Sequence, residues 1–378
     1  MKILITTPFF NNLGGSELET IHTANAISVF DKVTKIDLYV ESDFDPSFCK
    51  NIYISPKINF IKYSSLFTCK VVRFADKKIK KSLNLDINPF RSFYWILKRI
   101  NKYDRIYIIT KSTQDYYIPI IRLFRKKRNI VVKFTTIFYE EMSDYKLSAL
   151  TSVRNNIVTS QVQTDFFKNR LNLKNTISQE VILYKENEAL KRKRALLNRE
   201  LFDFGFLGRL SEEKQIEDCI MLIKVLKERG FVKTLLIRGK GDTLYCHYLL
   251  NIVEENKLSD QVFVEFESVA YDEVFDFFDR INCFLITSKY EGGPNVGLEV
   301  MAYGIPVLTY KVGAMQDRLK DFSELLANDF IELVEKAIEM LCLEDFEYVE
   351  KCQKIKRNYI ENYANKYQVE YLKDFING

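Results

Sequence analysis

Two glutamates, Glu291 and Glu299, frame the densest group of chemistry-bearing residues in the chain, within Ser288–Pro306 (SKYEGGPNVGLEVMAYGIP). The apolar run NCFLIT, Asn282–Thr287, reads as a buried parallel strand. Glu291 follows its carboxyl end, where open parallel sheets place their ligands. Gly292 and Gly293 allow a close backbone approach, and Pro294 suits the first turn of a helix. That helix is expected to run to about Tyr303, with Gly304 and Pro306 stopping it. Its first turn would aim the N–H groups of Asn295, Val296 and Gly297 at one point, an anion site suited to a diphosphate. Glu299, about one turn in, would reach ribose hydroxyls, and Glu291 could accept hydrogen bonds from sugar hydroxyls.

The elements that must hold these residues form two α/β series. In the first, KILITT (Lys2–Thr7) reads as a strand, followed by a loop through Gly14 and Gly15. Ser16 and Glu19 have capping-box spacing ahead of a helix, and KIDLYVE (Lys35–Glu41) follows as a strand. Arg105–Thr110, Asn129–Thr135 and Asn156–Ser160 are further strand candidates. The second series opens with a strand at Phe202–Phe206 running into Gly208 and Arg209. A helix over Gln215–Arg229 follows, with Ile216, Cys219, Ile220, Ile223 and Leu226 on one stripe. A strand at Lys233–Arg238 enters Gly239-Lys240-Gly241-Asp242. Strands at 261–266 and 306–310 complete the pattern around Asn282–Thr287, and the end is helical. The fold class is α/β, with two Rossmann-like doubly wound domains. The expected division is an N-terminal domain over 1–185, a linker over 186–200, a C-terminal domain over 201–350, and helices over 351–378. Tyr371, Leu372 and Phe375 are spaced to dock the last helix on the first domain.

At 378 residues, 47% of them hydrophobic, the chain can bury two cores. Its seven cysteines form no C-x-x-C pair, which argues against a disulfide framework or zinc site and for a reducing compartment. With two histidines, His22 and His247, a histidine-rich metal site is excluded by count, and neither lies in a triad-like context. Both read as structural or surface residues. No run of about 18 apolar residues appears and no signal-peptide pattern opens the chain, so a cytoplasmic location is expected. Charge is uneven. Residues 1–185 hold 30 basic and 16 acidic side chains, against 26 and 35 from 186 onward. The excess gathers in Lys70–Arg105, with 11 basic residues beside Phe93, Tyr94 and Trp95, and in Arg122–Arg128. An anionic partner for this half is one reading: a membrane surface, a pyrophosphate-linked acceptor or, least favoured, nucleic acid. A plain solvated basic face is the other.

The Glu291–Glu299 spacing, with Val300-Met301-Ala302-Tyr303-Gly304-Ile305-Pro306-Val307 behind it, resembles the E-x7-E signature of retaining glycosyltransferases of family four. Gly14-Gly15-Ser16-Glu17 after the first strand agrees in order. So do Gly208-Arg209-Leu210 with Glu213-Lys214, which resembles the family's basic phosphate clamp, and Gly239-Lys240-Gly241-Asp242, which resembles its turn near the nucleotide. The resemblance covers most of residues 1–30 and 203–318 and is faint between about 45 and 180.

It implies the GT-B fold, two domains facing across a cleft, and transfer of a hexose-type sugar from a nucleotide-sugar donor such as a UDP- or GDP-sugar. The acceptor would be a glycan or a lipid-linked carrier in cell-surface polysaccharide synthesis, with peripheral contact at the inner face of the membrane. Arg209 and Lys214 would neutralise the departing diphosphate together with the helix start, and Glu291 would hold the donor sugar. Gly15 would close toward the diphosphate or the acceptor. No cofactor and no metal are implied. The pair Asp43–Asp45, the only D-x-D in a strand–loop context, reads as turn chemistry. In this family the leaving phosphate is held to help deprotonate the acceptor on the same face, without a protein nucleophile.

The chain departs from the family in two places. The segment Lys133–Glu141 carries no histidine where many relatives place one against the donor sugar; Thr135, Tyr139 or Glu140 could substitute. Val181–Lys185 replaces the usual proline–asparagine–glycine linker. A nucleotide-sugar epimerase or phosphorylase of the same architecture, and a catalytically inactive binding protein for nucleotide-sugars or nucleic acid, stand as alternatives.

Overall fold

Strands flanked by helices on both faces are buried throughout, and the ends of this chain's strands follow from that. β1 (Lys2–Thr7) is five-sixths buried, with Lys2 alone in water at its start. The computed structural model describes residues 1–7, 15–40, 49, 52–61, 74, 77–78, 96, 98–110, 130–135, 155–170, 172–192, 200–269 and 273–377. These divide into two compact units, Met1–Ile182 with Asn365–Gly378, and Leu183–Ala364.

In the first unit, β1 is followed by α1 (Gly15–Ser28), β2 (Lys35–Val40), β3 (Ile58–Ile61), β4 (Arg105–Thr110) and β5 (Ile130–Phe134). Then come β6 (Asn155–Val158), α2 (Gln161–Asp165) and β7 (Thr176–Ser178). The sheet runs in the order β3-β2-β1-β4-β5-β6-β7, every pair parallel. Side chains alternate between faces. Leu4, Ile106, Ile108, Val132 and Phe134 fill one core with Phe167, whose ring lies 5.3 Å from that of Phe134. The other face takes α1 and the chain's last helix. There the Tyr107 ring stands edge-on to Phe375 at 5.6 Å, and Arg105 Nε donates to the Phe375 carbonyl at 3.0 Å.

The second unit begins with α3 (Glu186–Lys191), followed by β8 (Phe202–Leu207), α4 (Ile216–Glu228), β9 (Leu235–Arg238), α5 (Thr243–Glu255) and β10 (Val262–Glu265). Next are α6 (Val274–Phe278), β11 (Ile281–Ile286), α7 (Asn295–Tyr303), β12 (Val307–Tyr310), α8 (Met315–Arg318), β13 (Leu326–Ala327), α9 (Phe330–Leu341) and α10 (Asp345–Asn362). The chain then contributes α11 (Asn365–Asn377) to the first unit. The second sheet has the order β10-β9-β8-β11-β12-β13, again parallel. Both sheets therefore show the doubly wound 3-2-1-4-5-6 order, and in each the order reverses between its first and fourth strands. The apolar stripe of α4 is buried completely at Ile216, Cys219, Ile220, Ile223 and Leu226.

Three differences from the sequence reading have physical causes. Residues 186–200, read as a linker, open with α3. Its Glu186 accepts from the Tyr359 hydroxyl at 2.7 Å, and its Ala189 carbonyl accepts from Lys356 Nζ at 3.1 Å. A polar segment is thus ordered by partners on α10. Ser16, read as a helix cap, lies inside α1, where its carbonyl accepts from the Thr20 hydroxyl at 2.7 Å. Glu19, its expected capping partner, is instead 4% exposed and ion-paired with Lys133 on β5. Finally, β3, β7 and β13 are too short to show a period in the sequence, and pairing with a longer neighbour defines each of them.

Candidate functional site

The loops after β8 and β11 leave the same edge of the second sheet, at its point of reversal. Two hydrogen bonds fasten them together. The Lys289 N–H donates to the Glu213 carbonyl at 2.9 Å, and the Thr287 hydroxyl donates to the Lys214 carbonyl at 2.9 Å. Lys214 ends a short 3-10 turn, Glu212–Lys214, and Gln215 behind it takes a left-handed conformation with φ 46°. The turn aims the ammonium at Glu291, and Lys214 Nζ bonds Glu291 Oε1. Ser288 Oγ donates to the same oxygen at 2.9 Å. The pair is accessible: the two side chains are 20% and 14% exposed.

A third loop joins from β9. The Gly208 N–H donates to the Arg238 carbonyl at 3.1 Å, and the Leu210 N–H donates to the Lys240 carbonyl at 2.9 Å, with a parallel bridge between Leu210 and Gly241. A Cβ on Gly239 would fall onto the Gly208 carbonyl oxygen, so only glycine lets the two loops cross. Arg209 projects outward from this crossing, its side chain 68% exposed, and bonds Glu213.

Helix α7 starts beside Glu291. Pro294 is its cap in an extended conformation, and Gly304 closes it with φ 90°. The Gly297 N–H donates to the Pro294 carbonyl at 3.1 Å. That corrects the expectation for this group, which is engaged inside the helix rather than aimed outward. Asn295, Val296 and Glu299 are half-buried, as are Glu291, Gly292 and Gly293, while Pro294 is buried. Ala314 fastens the loop from behind, its N–H donating to the Gly292 carbonyl at 3.0 Å.

The structure thus brings Glu291, Lys214, Arg209, Gly239, Gly241 and the start of α7 to one edge of one sheet. Lys214 and Glu291, assigned separate partners in the sequence reading, contact each other. Gly15 is the exposed first residue of α1 in the first unit. Gly14, Asp43–Asp45, Arg122–Arg128, Tyr139 and Glu140 lie outside the described residues, as does most of Lys70–Arg105. Thr135 is described and half-buried. His247 is exposed on α5, and His22 is buried on α1, where desolvation lowers its pKa to about 4. Cys219 lies 3.3 Å from the Thr287 hydroxyl, and burial pushes its thiol up to about 12, so it is unreactive at neutral pH. A cavity lined by Phe202, Asp203, Lys233, Phe263 and Tyr348 opens at the amino-terminal edge of the same sheet, away from all of these residues.

Thr287 and Ser288 escaped the sequence reading although they stand where a strand ends ahead of Glu291, a position that could have marked them. Lys133 also escaped; its signal was a lysine inside the otherwise apolar run NIVVKFT. Among the described residues no helix is long and apolar enough to cross a membrane, and no group of three His, Cys, Asp or Glu could hold a metal ion.

Residues 187–365, nearly all of the second unit, match the family described as Glycosyl transferases group 1. Over 136 residues it is 26% identical to the capsular polysaccharide biosynthesis glycosyltransferase CapM of Staphylococcus aureus, a stretch covering 34% of this chain and 32% of CapM. The match therefore spans about a third of that relative's length. Among solved structures, Anabaena HepE in complex with UDP and glucose superposes with a TM-score of 0.76 at 16% identity, covering 100% of both chains. TarM of S. aureus superposes with a TM-score of 0.75 at 12% identity, covering 100% of this chain and 99% of TarM. The fold is the GT-B fold of these glycosyltransferases, with two Rossmann-like parallel sheets.

Proposed function

We propose that this chain is a retaining hexosyltransferase that moves a sugar from a UDP- or GDP-sugar to a glycan or lipid-linked acceptor. The observation that carries the reading is the Lys214–Glu291 contact at the sheet's switch point, beside the start of α7. The glycosyltransferase family match over residues 187–365 supports it. So do HepE, crystallised with UDP and glucose, and CapM, a polysaccharide-building relative.

In this reading the donor's anomeric C–O bond breaks and its electron pair departs with the nucleoside diphosphate. Lys214 and Arg209 meet that charge as a point cation and a planar fork, and the first turn of α7 at Val296 adds its dipole. The Lys214–Glu291 contact has a use here. Glu291 exchanges its lysine partner for a sugar hydroxyl, and the freed ammonium turns to the phosphate. The acceptor hydroxyl attacks on the face the nucleotide leaves, and its proton passes to the departing phosphate oxygen. No metal and no protein nucleophile take part. Glu299 holds the ribose, and Gly239 and Gly241 leave room for the nucleotide.

Calorimetry against UDP-, GDP- and ADP-sugars tests the donor, and an acceptor screen with the bound donor tests transfer. Glu291→Ala is expected to lower transfer by about 10²–10³-fold, the usual cost of losing one well-placed polar contact to a reacting group. Transfer unchanged by that substitution would remove Glu291 from the site.

A further inference from the structure

Among the described residues, the largest fully buried side chain is a charged one. Arg318, the last residue of α8, is 1% exposed. Burying a guanidinium is costly unless its donors find acceptors, so its placement has consequences for whatever accepts them. Its Nη1 donates to the Pro294 carbonyl at 2.6 Å and lies 3.5 Å from Met315 Sδ. Pro294 is the residue that caps α7. The guanidinium therefore grips the last carbonyl before the helix whose first turn faces the site.

The fit is tight. A Cβ built on Gly297, in the first turn of α7, would stand 2.5 Å from Met315 Sδ and 3.3 Å from Arg318 Nη1. The arginine thus lies directly against the backbone of that turn, on the side away from solvent. The same short stretch makes two further contacts. The Ala314 N–H holds the Gly292 carbonyl, and the Asn358 side chain on α10 donates to the Arg318 carbonyl at 2.8 Å. Nothing in the local sequence VGAMQDRL marks its arginine for burial beneath a helix tip.

Resting on the nucleotide-sugar reading above, we propose that Arg318 is a positioning residue for the diphosphate. Through the Pro294 carbonyl it fixes where α7 begins, and so where the N–H of Val296 points. Its effect is therefore largest on the phosphates, which meet the first turn, and smaller on the ribose, which Glu299 meets one turn further along α7.

The test uses the full-length chain with whichever of UDP, GDP and ADP the wild type binds most tightly, compared by calorimetry with the corresponding nucleoside. In Arg318→Met, diphosphate affinity is expected to fall on the order of tenfold or more, as for loss of a charge-assisted contact, while nucleoside affinity stays within about twofold. Arg318→Lys, which keeps the charge and one donor, is expected to fall between the two. Should Arg318→Met not fold, Gly297→Ala carries the same expectation, because its methyl group presses on Met315 and the guanidinium. Equal losses for diphosphate and nucleoside, or no loss for either, overturn the proposal and leave the functional reading standing. A wild-type chain that binds none of the three diphosphates overturns both.

Discussion

Each unit of this protein sets one lysine against one glutamate at the carboxyl side of its sheet, and the two pairs have opposite fates. In the first unit Lys133 and Glu19 are 2% and 4% exposed, and Lys133 also reaches the Glu180 carbonyl at 3.4 Å. In the second, Lys214 and Glu291 are 20% and 14% exposed. A pair sealed from water cannot exchange partners without opening the fold, because each charge left alone meets a large desolvation cost. A pair with an open side can trade its partner for a ligand at little cost. The same chemistry therefore pins a helix in one place and, under the proposed function, gives up its partner to a ligand in the other. Solvent access decides between these roles, not residue type.

The sharpest way to break this contrast is to remove one partner of the sealed pair. Lys133→Met is expected to destabilise the protein by about 3–5 kcal/mol, read as a shift in the denaturant midpoint, because Glu19 is left buried and charged. Adding Glu19→Leu should recover most of that loss. A single substitution costing no more than a surface ion pair, about 0–1 kcal/mol, would show that the first pair is as accessible as the second.

Burial in the first unit has a second reporter in His22. Its folded pKa is lowered to about 4 from an ordinary value of 6.5 by desolvation, so the unfolded chain binds the extra proton first as pH falls. Stability is expected to be fully present above about pH 6.5 and to decline by about 3 kcal/mol as pH drops through 4, at 1.36 kcal/mol per unit. His22→Gln should flatten that part of the stability–pH curve. An unchanged slope in the variant would mean that histidine stays solvated.

The smallest effect belongs to the exposed side of the second unit. Arg209 is 68% exposed and paired with Glu213 across one turn of loop, so Arg209→Ala should leave thermal stability within about 0.5 kcal/mol. If Arg209 meets the diphosphate, the same variant should lose about tenfold in affinity for it, and that loss should shrink at high salt. A stability loss without an affinity loss would make the arginine structural.

The strand–helix alternation was legible because buried parallel strands must be continuously apolar and helices must repeat every three or four residues. KILITT, NCFLIT and the Ile216–Leu226 stripe carry those patterns in any context. Glu291, Pro294 and Gly304 were legible for a similar reason: their roles at a strand end, a helix start and a helix stop are local. Short strands such as Leu326–Ala327 carry no pattern and exist only because a neighbour pairs with them.

What the sequence determined by itself was thus the order of elements and the residues that stand at their ends. Only the tertiary structure decided which of those residues meet. Lys214 and Glu291 are 77 positions apart, and the crossing of three loops puts them in contact. Glu19 has the spacing of a capping residue, yet a buried lysine on a strand across the sheet takes it away from the helix end. Arg318 has the composition of a surface residue and lies under a helix tip. Local pattern reports what a residue can do with its neighbours in the chain. A charge, once removed from water, is governed by whichever opposite charge or carbonyl the fold brings to it.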